Sequence, residues 1–187
     1  MIKPQNGKSR GKKRNVSIQK ISKIEAAQRQ LDTAIGLWFE GGDAVSITAL
    51  NCAASQVLYN LAGKLKKKVA GMFDRAGMDM TQAAHFYKFM GDICGFFKHA
   101  DRKNAENAVL EMGEGFEENY LPLFLLNTSQ QYRLLGHALT DPMAAVFAWC
   151  VLHHPAGFEK DFVKSRKFNG VDRTTLRISF LEAFKRG

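Results

Sequence analysis

The chain has few of the residues that interrupt helices or favour strands. Only four prolines occur among 187 residues, and β-branched residues are sparse beside alanine, leucine, lysine, glutamine and phenylalanine. Proline breaks helices and β-branched side chains favour sheets, so this balance favours helical structure. There is also no internal repeat and no series of alternating strands. We therefore predict an all-α fold, a helical bundle of five or six helices.

The sequence also predicts neither a membrane-spanning helix nor a secretory leader. No stretch approaches the roughly 18 to 20 apolar residues that a membrane-spanning helix requires. The basic N-terminus is not followed by an apolar core with a small-residue cleavage site. The sequence thus predicts no membrane partner and a cytoplasmic location.

Cysteine is scarce and odd in number. Cys52, Cys94 and Cys150 each lie in an apolar segment, and no two form a C-x-x-C unit. A free cysteine in such a setting behaves as a small apolar side chain. The pattern predicts free thiols in a reducing compartment and no disulfide framework.

The usual motifs for metals and cofactors are absent. We find no glycine-rich phosphate loop, nucleophile elbow, dinucleotide fingerprint or H-E-x-x-H zinc motif. His85, Asp92 and His99 are predicted to share one helix face, but neighbours in this row are separated by about 10.5 Å of helical rise. Zinc takes its ligands at about 2 Å, so this row alone does not form a zinc site. We predict no metal and no cofactor.

Positive charge is abundant and is concentrated at the N-terminus. The net charge is +9, and eight basic residues precede the first acid, Glu25; subtracting them leaves +1 for the remainder. We predict that residues 1–17 form a flexible basic arm and residues 18–187 a single helical-bundle domain. Such an arm neutralises phosphates, so RNA or another polyanion is the predicted partner. Solubilisation is the alternative role. The predicted nucleic-acid-binding residues are Lys8, Arg10, Lys12, Lys13, Arg14 and Lys98.

Capping signals predict where the helices begin and end. Ser22 and Glu25 form an S-x-x-E capping box, and Gly41-Gly42 ends the helix that follows. Asp43 is a cap for a second helix, which pairs with the first as an antiparallel hairpin. The later predicted starts are Thr81, Leu121 (in a region reaching about Leu139 and interrupted near Pro122), Asp141-Pro142 with aspartate as the cap, and Asp172.

The segment Gly95–Arg102, GFFKHADR, places ionisable groups directly after buried aromatics. One interpretation is helix termination, because Lys98 and His99 favourably meet the negative end of the helix dipole. The other is catalytic: His99 acts as a general acid or base, and a neighbouring cation stabilises a phosphate, as in metal-independent RNA cleavage. The candidate catalytic residues are His99, Asp101 and Arg102.

Two segments carry a resemblance to known proteins. Lys23–Leu50 (KIEAAQRQLDTAIGLWFEGGDAVSITAL) together with GFFKHADR is similar to a group of small bacterial proteins of unassigned function. This sequence has Ala44, Thr48 and Gly95 where that group tends to have proline, histidine and asparagine. More distantly, a bundle with a polar residue followed by a histidine at a helix end resembles the HEPN superfamily. Many of its members are RNases with an R-x4-6-H motif, whereas Asp92 and His99 have the spacing without the arginine.

Two named functions from different classes follow as expectations, beside a third reading as an enzyme of unspecified type that uses His99, Asp101 and Arg102. The first is a nucleic-acid-associated helical protein, either an HEPN-like metal-independent RNase or an inactive relative. The alternative is a non-catalytic protein-interaction module, of the adaptor or antitoxin kind. The apolar run Pro122–Leu126 and the phenylalanine-rich C-terminus either fill the core or form the face of a homodimer.

Overall fold

The computed structural model describes residues 19–65, 80–98 and 109–154, with only the backbone in 80–83. Every regular element in these ranges is helical, which confirms the all-α prediction. The predicted basic arm, residues 1–17, and the predicted helix after Asp172 lie outside them. The elements are α1 (Lys23–Phe39), α2 (Ala44–Lys64), α3 (Met80–Lys98), a π-helical turn (Phe116–Tyr120), α4 (Leu121–Leu134) and α5 (Asp141–His153).

The start of α1 forms half of the predicted capping box. The Ser22 hydroxyl accepts a hydrogen bond from the Glu25 amide at 3.2 Å, as a cap should. The Glu25 carboxylate does not reach back to the cap; it accepts from the Arg29 guanidinium at 2.6 Å. This exposed pair lies at i,i+4 spacing, where ion pairs contribute only a few tenths of a kcal/mol.

A short turn joins α1 to α2 as predicted. Gly41 has a φ of 71°, a conformation that glycine adopts without steric cost. Asp43 then caps α2, because its carboxylate accepts from the Ser46 amide at 2.8 Å. The two helices pack side by side, and the turn makes them antiparallel.

Two later boundaries lie one or two residues before the predicted ones. α3 begins at Met80, so Thr81 lies inside its first turn. The cap of α5 is Thr140 rather than Asp141: its hydroxyl accepts from the Met143 amide at 3.4 Å. Pro142 is therefore the second helical residue, where its missing N–H is still harmless.

The region around Pro122 is the largest departure from the predicted helix pattern. Pro122 does not interrupt α4, because it lies in the first turn, where no intrahelical partner is lost. A π-helical turn, Phe116–Tyr120, leads into α4 without a sequence signal that we recognised. α4 ends at Leu134, well before Leu139, and Gly136 follows with a φ of 101°.

The apolar stripe of α1 lies at the centre of the core. Leu31, Ile35 and Trp38 are at most 1% exposed, and α1 contacts α2, α4 and α5. Trp38 also meets Trp149 of α5 edge to face, with ring centroids 4.9 Å apart. This arrangement suits the quadrupoles of aromatic rings.

A phenylalanine cluster joins α3 to α4 and the π-helical turn. Phe124 is fully buried, and its ring centroid lies 5.3 Å from that of Phe86 and 5.9 Å from that of Phe116. Phe124, Leu125 and Leu126 thus fill the core of one chain rather than offering the dimer face considered above. A homodimer stays a prediction.

A chain of hydrogen-bonded polar side chains connects α1 to α4 and to the start of α5. The Tyr132 hydroxyl donates to Gln28 at 3.0 Å. The Gln28 amide donates to Asp32 at 3.5 Å, and the Thr140 hydroxyl donates to the other Asp32 oxygen at 2.5 Å. Burial nevertheless raises the pKa of Asp32 above its ordinary value, and the charge of Asp141 adds to that rise.

None of the helices described in residues 19–65, 80–98 and 109–154 combines the length and apolar character needed to cross a bilayer.

Truncating the central phenylalanine tests this core. Phe124→Ala is expected to lower the free energy of unfolding by about 3–5 kcal/mol, because it leaves a cavity among rings that relax only partly. Phe96→Ala, at a side chain that is 41% exposed, is the matched control and should cost less than about 1 kcal/mol. Urea unfolding followed by circular dichroism measures both, and equal losses would contradict the assigned burial.

The Asp32 carboxyl predicts a specific pH dependence of stability. Because its folded pKa is raised above 3.8, protonation favours the folded state, and this contribution is lost as the pH rises through the folded pKa. The free energy of unfolding of wild type, relative to that of Asp32→Asn, should therefore fall as the pH rises from 3.8 through the folded pKa of Asp32. Asp43→Asn should show the opposite trend, since hydrogen bonds from Ser46 lower the Asp43 pKa. Unfolding curves between pH 3 and 7 measure both; a flat difference for Asp32 would refute the assignment.

Candidate functional site

A pocket of about 520 Å³ opens between α2, α3 and α4; we call it the α2–α3–α4 pocket. Each helix contributes residues from one face, at the three- and four-residue spacing of an α-helix. The lining comprises Cys52, Ser55, Gln56 and Tyr59 from α2, Tyr87, Met90, Gly91, Cys94, Gly95 and Lys98 from α3, and Asn127 and Gln131 from α4.

The α3 wall has room because it carries small residues. Gly91 and Gly95 lie one turn apart on the pocket side. A Cβ added at Gly91 would meet no atom within 4 Å, so this part of the wall borders open space. Two glycines within a helix lower its intrinsic stability by about 1 kcal/mol each relative to alanine. The pocket is thus bounded by a helix face that its neighbours leave unfilled.

Among the described residues of the lining, Lys98 is the single cation and none carries a carboxylate. Its ammonium group donates to the Gln56 side-chain oxygen at 2.5 Å. Within the described ranges no carboxylate lies within ion-pair distance of it, whereas Lys88 on the same helix pairs with Asp92 at 2.6 Å. Partial burial lowers the pKa of Lys98. A neutral amide satisfies one of its three donors and leaves its charge available to an anion.

Asn127 lines the pocket with an incompletely satisfied amide. Its side chain is 2% exposed. The amide nitrogen contacts the Met90 sulfur at 3.9 Å, and among the described residues the amide oxygen has no hydrogen-bond partner. The adjacent buried hydroxyls of Thr128 and Ser129 bond to carbonyls one turn earlier in α4. An unmade hydrogen bond at a buried oxygen is costly, and the side-chain amide of Asn51 in α2 is likewise without a partner among the described residues.

Other polar and aromatic groups complete the lining. The Ser55 hydroxyl donates to the Gln131 side chain at 3.1 Å, which fixes both across the α2–α4 contact. Tyr59 is 61% exposed, so its ring is open to a planar ligand. The pocket therefore offers one cation, several amide groups and an accessible aromatic ring.

The structure corrects the prediction for cysteine. Cys52 and Cys94 form a disulfide between α2 and α3, with Cα atoms 5.2 Å apart. The prediction of free thiols fails because an odd count does not say which helix faces meet. The third cysteine, Cys150, is free and fully buried; burial raises its pKa and holds the thiol in its protonated form. A disulfide also removes the cysteine argument for a reducing compartment, so a cytoplasmic location stays a prediction.

Of the predicted site residues, Lys98 alone is described, and it lines the pocket. His99, Asp101 and Arg102 lie outside the described residues, as do the arm residues Lys8, Arg10, Lys12, Lys13 and Arg14. His85 and Asp92 are both exposed on α3. In the described part of the chain no three His, Cys, Asp or Glu side chains gather as a metal site requires.

Sequence reasoning did not identify the remaining pocket residues. Gln56, Asn127 and Gln131 come from helices that are far apart in sequence, and each reads alone as an ordinary surface or core position. The available signal was the pair Gly91 and Gly95 around Cys94, which predicts a shallow face on α3. Comparisons of the chain with protein-family models, with curated proteins and with solved structures give no match. The HEPN resemblance accordingly stays a prediction.

Replacing Asn127 tests whether its amide serves a ligand rather than the fold. Asn127→Leu removes the unpaired oxygen at similar volume, so the free energy of unfolding should be unchanged or should rise by about 1–3 kcal/mol. Leu126→Asn, which buries a new amide at the preceding position, is the control and should destabilise. Denaturant unfolding measures both variants. A loss above about 2 kcal/mol in Asn127→Leu would make the amide a structural element.

Proposed function

We propose that this is a nucleic-acid-associated protein that binds single-stranded RNA through the α2–α3–α4 pocket. The observation that carries the proposal is Lys98, a cation without a carboxylate partner among the described residues. The other described lining residues are all uncharged and include three amides and two tyrosines. A phosphate oxygen would occupy the position that an acidic side chain takes at Lys88. This contact supplies affinity without sequence preference.

The other pocket groups suit an unstacked base. Proteins read single-stranded RNA by stacking bases on aromatic rings and by hydrogen bonds to base edges. Tyr59 offers the ring, and the side-chain amides of Gln56 and Gln131 offer hydrogen bonds to a base edge. A duplex would keep its bases stacked away from such a pocket. Single strands are therefore the favoured form.

The basic arm, residues 1–17, would extend the binding surface along the phosphate backbone. Its charge contributes salt-sensitive affinity that does not depend on the pocket. The two contributions are separable, because deletion of the arm leaves the pocket residues in place.

RNA cleavage is the catalytic form of the same proposal. In the sequence His99 directly follows Lys98, and Asp101 and Arg102 come next, so these groups would act on a phosphate held at Lys98. His99 would move the proton of the 2′-hydroxyl, and Arg102 would stabilise the charge that develops on the phosphate. An inactive relative would bind RNA through the same pocket without cleaving it.

Binding measurements on two lysines of α3 test the pocket. Lys98→Gln should weaken binding of a single-stranded RNA about tenfold at 0.1 M salt and reduce the slope of log affinity against log salt by about one. Lys88→Gln is the matched control, because Lys88 is exposed and paired with Asp92; it should bind as wild type does. Fluorescence anisotropy with labelled single-stranded RNA, single-stranded DNA and duplex RNA gives the affinities. Equal loss in the two variants would refute a pocket site.

A gel assay in EDTA separates the functional classes. Wild type, His99→Ala and a chain lacking residues 1–17 are incubated with labelled RNA. Cleavage that disappears in His99→Ala, with helicity preserved by circular dichroism, supports the RNase. A salt-sensitive shift without cleavage supports an inactive, RNA-binding relative. If the gel shows neither cleavage nor a shift, the protein-interaction module is favoured instead.

A further inference from the structure

We propose that the Cys52–Cys94 disulfide is a thiol-exchange site that is entered from the α2–α3–α4 pocket, with Cys94 as the sulfur that accepts the incoming thiol. This reaction is distinct from RNA binding and stands on the position of the disulfide in the pocket wall. The incoming group is a small thiol of the glutathione class.

The two sulfurs differ in accessibility. Both residues line the pocket, but Cys52 is 1% exposed whereas Cys94 is only half-buried. The neighbouring Gly91 and Gly95 place no side chain over Cys94 on its own helix. An attacking thiolate therefore reaches Cys94 and not Cys52. Access to one sulfur of a disulfide decides which mixed disulfide forms.

The positive charge on the α3 wall attracts the incoming group. Lys98 lies one turn further along the same face of α3 than Cys94 and also lines the pocket. A cation in a pocket raises the local concentration of anionic thiols. The α-carboxylates of glutathione would meet this charge, and none of the described lining residues carries a carboxylate to compete with them.

The exchange is balanced with two thiols. The first, as its thiolate, attacks the Cys94 sulfur; the Cys52–Cys94 bond breaks, and Cys52 leaves as a thiolate that takes up a proton. A second thiol attacks the mixed disulfide and releases Cys94 as a thiol. The protein disulfide is reduced by two electrons, and two thiols are oxidised to one disulfide.

Two variants of the full chain, each lacking one cysteine of the disulfide, test the entry point under native conditions. Each is treated with oxidised glutathione, and mass spectrometry of peptides locates the adduct. Cys52→Ser leaves Cys94 free, and it should take up glutathione at least tenfold faster than Cys52 does in Cys94→Ser. Cys150, which is buried in the wild-type chain, is the internal control and should stay unmodified in both variants. Equal rates at Cys52 and Cys94, or an adduct chiefly on Cys52, would overturn the proposal.

The wild-type chain provides the test that does not depend on a variant folding. Reduced glutathione is added for a short time, and acid quenching then traps the mixed disulfide. The adduct is expected on Cys94, with Cys52 as the free thiol. A disulfide that reacts only after urea is added would overturn the proposal, because exchange would then require unfolding.

A mixed disulfide on Cys94 would also occupy the pocket. Its effect on RNA binding rests on the proposed function. Glutathionylated Cys52→Ser should bind single-stranded RNA at least tenfold more weakly than the same variant without the adduct. Equal affinities would contradict occupation of the pocket. Absence of RNA binding by the unmodified protein would count against the RNA proposal alone, since the adduct is located independently.

Discussion

Burial of the apolar face of α1 is the constraint on which the other helices depend. Leu31, Ile35 and Trp38 are buried in the hydrophobic core, and α1 contacts α2, α4 and α5. Trp38 adds direction to this packing, because its indole N–H donates to the Glu117 carbonyl at 3.1 Å and fixes the π-helical turn. That turn leads directly into α4, which carries Asn127 to the pocket. α1 lines none of the pocket, yet its packing sets where two of the three walls stand.

Local signals predicted the first two helices closely. The signals are local: the capping residues Ser22 and Asp43 and the Gly41-Gly42 pair act on backbone groups only a few residues away. Their effect can therefore be predicted from the sequence. The predicted boundaries of the later helices were less accurate, because they depend on more than local signals. Thr140 and Asp141 are both good caps, and their choice depends on a distant partner, since Thr140 also donates to Asp32 of α1. Helix type could be predicted, but competition between neighbouring caps could not.

The pocket could not be predicted because it depends on contacts between distant segments. Cys52 and Cys94 are 42 residues apart, and only the packing of α2 on α3 brings them together. Asn127 lies within a run of buried residues, and its unsatisfied oxygen becomes visible only when its surroundings are known. Lys98 was identified from the sequence as a phosphate-binding residue for its place in GFFKHADR. In the structure Lys98 lies among uncharged residues of α2 and α4. The motif alone did not predict these neighbours.

The disulfide also changes how the chain responds to being cut. A peptide bond broken anywhere between Cys52 and Cys94 leaves the two pieces covalently joined, because the crosslink closes a ring around that part of the backbone. A protease acting there would produce a nicked species with the mass of the intact chain, plus one water, until a reductant separated the fragments. The walls that α2 and α3 give to the pocket would remain attached through the sulfurs. Backbone integrity between these helices is thus not required to hold them together.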